Sequence, residues 1–161
     1  MFLNGRTRPH RTYLIERFWN NGLLDQSIWT NLEAGYAKSR SLKLLGLPLP
    51  VKLLDSKYEF DFYQDRLNIP TTDTFVKNHL FNNTWGEIYL KADPYIDTYF
   101  SLVTETVFEY PYSFRTEKIW KPIAIGHPFI AVANRGFYRD LHNLGYRTFG
   151  HVLDESFDTI D

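Results

Sequence analysis

Residues 114–149 decide the fold. They read Phe114-Arg-Thr-Glu-Lys-Ile-Trp-Lys-Pro-Ile-Ala-Ile-Gly-His-Pro-Phe-Ile-Ala-Val-Ala-Asn-Arg-Gly-Phe-Tyr-Arg-Asp-Leu-His-Asn-Leu-Gly-Tyr-Arg-Thr-Phe149. The pattern is helix, strand, helix, strand. Thr116 is a helix-capping residue type, and Ile119, Trp120, Ile123 and Ala124 fall on one helical face. Gly126 is placed to stop that helix. The short apolar run Pro128 to Ala133 predicts a buried strand. Asn134 can cap a second helix, with Phe137, Tyr138, Leu141 and Leu144 inward and Gly145 as its stop. Tyr146 to Phe149 would be the next strand, at about residues 147–150, and Tyr99 to Thr106 reads as a strand just upstream. Strands alternating with helices at this spacing imply parallel βαβ units, hence a single three-layer α/β domain over residues 1–161 with a mainly parallel sheet.

Arg115, Thr116, Glu117 and Lys118 form a polar start to this stretch, where a strand-to-helix loop opens. Open α/β sheets bind ligands at such openings, outside the carboxyl ends of the strands, and a helix N-terminus favours phosphate. The same four residues would equally serve as first-turn charges facing water, the commoner fate of such a run.

A second candidate segment lies near the start of the chain. Phe2-Leu3 reads as the tail of a strand, Asn4-Gly5 as a turn, and Pro9 as the first turn of a helix ending at Asn21-Gly22. Arg6, Arg8, His10 and Arg11 cluster at this junction, with no acid before Glu16. Arginine offers a planar fork of donors that grips a diphosphate. A solvated basic loop is the alternative. Residues 23–30 lead into a second short strand. Residues 31–56 read as a loop with at most one short helix. The apolar positions within 42–54 are a candidate surface for a protein partner or a second copy. Residues 58–63 fit strand and helix alike, residues 72–80 suit a short helix, and Asp93-Pro94 a turn. Asp154 to Asp158 is an acidic cluster, read as a solvated tail before a cation site.

Composition narrows the function classes. At 43% hydrophobic and 23% charged, 161 residues suit one globular domain with its own core. A net charge of −1 makes no electrostatic case for nucleic acid. The absence of cysteine excludes disulfides, thiolate metal sites and cysteine nucleophiles, and fits a reducing, cytoplasmic setting. The five histidines have no metal-ligand spacing, so no metal or other cofactor is expected. No apolar run approaches the roughly 20 residues of a membrane helix, and no signal-peptide core follows Met1. Neither a Gly-x-Ser-x-Gly elbow nor a P-loop is present, which leaves hydrolase chemistry without support.

Ser101-Leu-Val-Thr-Glu-Thr106 followed by Arg115-Thr-Glu-Lys-Ile-Trp-Lys-Pro-Ile-Ala-Ile-Gly-His-Pro-Phe129 resembles the donor-binding, C-terminal half of fucosyltransferase-type glycosyltransferases. That resemblance covers mainly residues 99–133. Over nearly its whole length the chain also resembles a set of poorly characterised proteins, many from phages and marine microbes. The shared segments are Asn4 to Arg11, Thr116 to Pro122 and Asp154 to Asp158.

The resemblance implies a Rossmann-like domain that binds a nucleotide-diphosphate sugar for hexosyl or fucosyl transfer. It implies that Glu117 meets the ribose or sugar hydroxyls and Lys118 the phosphates. Arg8 and Arg11 would neutralise the diphosphate leaving group, a task cationic side chains perform without a metal. The catalytic base and acceptor site of such enzymes lie largely in a second domain, which the resemblance places outside this chain; it also implies that further protein follows the terminal acidic segment. No catalytic residue is assigned. A non-catalytic Rossmann-like binding or assembly module, phage-encoded in this picture, is the other reading, since fold does not fix function.

Overall fold

The computed structural model describes residues 1–4, 8–31, 56–58, 90–109 and 111–160. The proposed partner segment 42–54 and the helix suggested over 72–80 lie outside these residues, and so do all but Tyr58 of the ambiguous 58–63 run.

Four short strands form two parallel ladders among the described residues. Strand β1 (Phe2–Asn4) pairs with β2 (Trp29–Asn31), Phe2 opposite Trp29. Strand β3 (Ser101–Thr104) pairs with β4 (Phe129–Val132), Ser101 opposite Phe129. The ladders lie edge to edge. The Met1 amino group donates to Phe100 O at 2.7 Å, and Leu102 N donates to Met1 O at 2.7 Å. One residue bonding j−1 and j+1 of its neighbour is the parallel pattern, so β1 runs alongside β3 in the same sense.

Helix α1 (Pro9–Asn20) joins β1 to β2. Pro9 suits its first turn because the missing N–H would have been unbonded there anyway. A single turn, α2 (Asp93–Ile96), stands where a turn was expected before β3. Helix α3 (Glu117–Ile125) begins at the Thr116 cap and ends at Gly126, whose φ of +69° lies in the left-handed region that glycine adopts without strain. Helix α4 (Phe137–Asn143) follows β4.

The side chains sort by strand face. Leu102 packs with Phe2, Ile15, Leu24 and Trp29, the cluster under α1. Its neighbour Val103 packs with Ile119, Phe129, Phe137 and Leu141, the cluster under α3 and α4. Successive strand residues point to opposite faces, so β3 meets one cluster on each side. Burying a side chain such as Ile119 or Leu141 contributes roughly 1.5–3 kcal/mol, which is how four-residue strands are held.

Four expectations are corrected. Leu144, expected to face inward, is 54% exposed. Residues 147–150 form no strand. Phe149 N donates to the Glu155 carboxylate at 3.0 Å, and Phe149 O accepts from Val152 N and Leu153 N, so the backbone there is satisfied locally. Asn134 does not cap α4. The cap residue is Gly136, at φ +77°, and the first-turn N–H groups go to Asp158, with Tyr138 N and Arg139 N each 3.0 Å from its carboxylate. The acidic terminal segment is thus not only a solvated tail: Asp154 is exposed, while Glu155 and Asp158 are partly buried. Glu155 and Asp158 are bonded to Thr148, Phe149 and α4, and no group of residues suited to a metal occurs among the described residues. No helix among the described residues is long and apolar enough to cross a membrane.

Candidate functional site

The carboxyl end of β3 is where the two candidate segments meet, and Glu105 is the residue between them. Its backbone N–H extends the ladder to Val132 O at 3.1 Å. The residue is 0% exposed. A buried carboxylate is costly unless hydrogen-bonded, and this one accepts from three donors: Thr116 N at 3.1 Å, Thr116 Oγ1 at 2.6 Å and Thr106 N at 3.3 Å. Its carbonyl accepts from His10 Nε2 at 2.9 Å. A carbonyl only accepts, so that ring nitrogen carries the proton. One residue earlier, Thr104 O accepts from the Arg11 guanidinium at 2.8 Å.

The strand ends are also tied laterally. Thr104 Oγ1 donates to Asn4 Oδ1 at 2.7 Å, and Asn4 N donates to Thr30 Oγ1 at 2.9 Å. The ends of β1, β2 and β3 therefore form one bonded rim on which the first turns of α1 and α3 rest.

Within that frame the expected site residues divide. Arg6 lies outside the described residues. Arg8 is the residue before α1, with extended backbone, and its carbonyl accepts from Thr12 N. Arg11 is only 2% exposed, so it braces β3 and is not a solvent-facing clamp. His10 is half-buried and stacks on Phe108 with ring centroids 5.2 Å apart. Burial lowers the His10 pKa below the usual histidine value; the Glu105 carbonyl works the other way, and the positive charges of Arg11 and Arg8 lower it further. Arg115 is partly buried in the loop entering α3.

Thr116 has two roles. Its hydroxyl is held by Glu105, and the same oxygen accepts from Lys118 N at 3.3 Å. Lys118 Nζ then reaches Glu117 Oε1 at 2.5 Å, both side chains about a quarter exposed. Burial works against the Glu117 carboxylate, but the hydrogen bond and charge of Lys118 outweigh it and hold its pKa below the ordinary glutamate value. The structure thus brings His10, Arg11 and Thr116 onto one strand end, with Arg8 beside His10 and Glu117–Lys118 beside Thr116.

Sequence reasoning passed over Glu105, although it stands inside the Ser-Leu-Val-Thr-Glu-Thr run. The available signal was a lone acid ending a β-branched strand. A strand end of that kind needs donors, and the capping Thr116 supplies two of them.

A cavity of about 580 Å³ opens at the carboxyl end of β4, walled by Phe108, Ile130, Val132, Asn134, Tyr138 and Phe157. Phe108 is common to this cavity and to the stack on His10.

Compared with known proteins, the chain matches no family model, no curated protein and no solved structure.

Proposed function

We propose that the chain is a Rossmann-like, three-layer donor domain that binds a nucleotide-diphosphate sugar for glycosyl transfer. The observation that carries this is the convergence on Glu105. Segments more than a hundred residues apart in sequence, His10–Arg11 and Thr116–Lys118, are fixed to one strand end. A core cluster on each face of β3 and the parallel run of β2, β1, β3 and β4 support the fold. In open sheets of this kind ligands sit at the carboxyl edge where the strand order reverses, which here is between β1 and β3.

Chemically, breaking a sugar–phosphate bond leaves negative charge on the diphosphate. Cations fixed in advance stabilise that charge without reorganising. Lys118 at the first turn of α3 is the proposed phosphate contact, aided by the helix dipole and by Arg8 at the start of α1. Glu117 orients Lys118 through their short contact and accepts from sugar or ribose hydroxyls.

One observation favours the second reading, a retained binding or assembly module: Lys118 already has Glu117 as its partner. A thermal-shift screen of nucleoside diphosphates and their sugars separates the two. A ligand present at 100 times its dissociation constant adds about 2.7 kcal/mol of stability, a rise of several degrees in Tm. No shift with any member of the series would rule out the donor-domain reading.

A further inference from the structure

His10 sits at the joint between the two segments. Its Nε2 donates to Glu105 O at 2.9 Å. The carboxylate of the same glutamate accepts from Thr116 N and Thr116 Oγ1, and Thr116 Oγ1 accepts from Lys118 N at 3.3 Å. One residue therefore separates the imidazole from the first turn of α3. Because Nε2 already carries a proton, Nδ1 is the nitrogen that would take a second.

The surroundings of the ring pull both ways. Burial disfavours the imidazolium, and the charges of Arg11 and Arg8 repel it. The Glu105 carbonyl and the exposed Glu109 carboxylate favour it. Phe108 favours it too. Its ring stacks on His10 with centroids 5.2 Å apart and 20° between the planes, and a cation over an aromatic face is attracted to it. The charged ring thus has an acceptor and an aromatic face in place. What opposes it is burial and neighbouring positive charge. An anion held between Arg8 and Lys118 would cancel the second of these.

We propose that diphosphate binding at the α3 opening is coupled to uptake of a proton by His10, so that the site grips its ligand more tightly in mildly acidic solution than in neutral solution. This rests on the diphosphate reading above. The anion stabilises the charged ring, and by linkage the charged ring raises the affinity for the anion. The gain develops as pH falls from the bound-state pKa of His10 to the free-state value, which lies below the ordinary 6.5, and it is complete below both.

Titration calorimetry on the full chain at pH 7.5 and 5.5, at fixed salt, tests it. The probes are inorganic pyrophosphate and the 5′-diphosphates of adenosine, guanosine, cytidine and uridine. His10→Gln is the comparison. Glutamine keeps an N–H for the Glu105 carbonyl and cannot take a proton, and the ligand's own protonation cancels between the two proteins. The ratio of affinity at pH 5.5 to affinity at pH 7.5 should be larger in the wild type than in His10→Gln by about threefold or more, since a rise of about one in the pKa allows tenfold. Should His10→Gln not fold by circular dichroism, ring-proton NMR of the wild type replaces it. One of the five histidines should then titrate about one pH unit higher with saturating ligand than without. Equal ratios in the two proteins, or five histidines that titrate alike with and without ligand, would overturn the coupling and leave the diphosphate reading standing. No binding of any probe at either pH would overturn both.

Discussion

Helices α3 and α4 begin beyond the carboxyl ends of neighbouring parallel strands, yet their first turns are served by opposite means. At α4, the carboxylate of Asp158 takes Tyr138 N and Arg139 N, both at 3.0 Å, so the chain fills that opening with its own anion. At α3, a neutral hydroxyl caps the turn, Glu105 holds that hydroxyl from beneath, and Lys118 stands at the mouth. The free N–H groups and dipole of a helix start attract one anion. At α4 that anion, Asp158, bonds the first-turn N–H groups directly. At α3 the carboxylates are engaged elsewhere, Glu105 by the Thr116 backbone and hydroxyl and Glu117 by Lys118, and a cation stands at the helix start. The difference separates two sites that look alike in sequence, each a strand, a polar loop and a helix.

Breaking the support under α3 should have the largest effect. Glu105→Ala removes the acceptor for Thr116 N, Thr116 Oγ1 and Thr106 N, leaving donors at a buried site. The expected loss is about 3 kcal/mol or more, since hydrogen bonds to charged groups are worth roughly 1.5–3 kcal/mol each and do not add fully. Thermal unfolding would show this as a Tm fall of at least about 6 °C, at roughly 2–4 °C per kcal/mol for a chain of this size. A fall within a degree would mean that Glu105 is not the joint between the two segments.

Asp158→Ala should cost less, about 1–2 kcal/mol, the usual range for losing a helix cap. Chemical denaturation of this variant measures the difference, and an unchanged midpoint would erase the contrast between α3 and α4.

The smallest effect concerns pH. Burial and two arginines depress the pKa of His10, and burial also depresses that of His127. A histidine with a depressed folded pKa gives stability that is present above the unfolded value of about 6.5 and is lost as pH falls toward the folded value. Stability should therefore decline as pH drops below about 6.5. The slope should be shallower in His10→Gln than in the wild type when Tm is followed from pH 7 to 5. Parallel slopes would remove His10 from the strand-end network.

The sequence made some of this legible. Thr116 and Gly126 marked both ends of α3, and the β-branched runs located β3 and β4, because caps and buried strands are governed by neighbouring residues. The strand expected at 147–150 and the Asn134 cap failed for a common reason. Glu155 and Asp158 compete for those backbone groups from further along the chain, and no local pattern announces that. The same limit applied to the site. The positions of Arg11 and Thr116 were visible as motif residues. That Arg11 turns inward to Thr104, and that Glu105 joins the two motifs, depends on contacts spanning 93 and 11 positions. The cavity at β4 was illegible for the same reason, since Phe108, Asn134 and Phe157 come from separate segments of the chain.

The central claim is that α3 opens to a diphosphate. Lys118 lies in its first turn, and Lys121 lies further along the same helix. Titration calorimetry of wild type, Lys118→Ala and Lys121→Ala against one nucleoside diphosphate at fixed salt compares them directly. The account predicts a tenfold or larger loss for Lys118→Ala, about 1.4 kcal/mol or more, and a clearly smaller change for Lys121→Ala. Equal affinities in the two variants would contradict it.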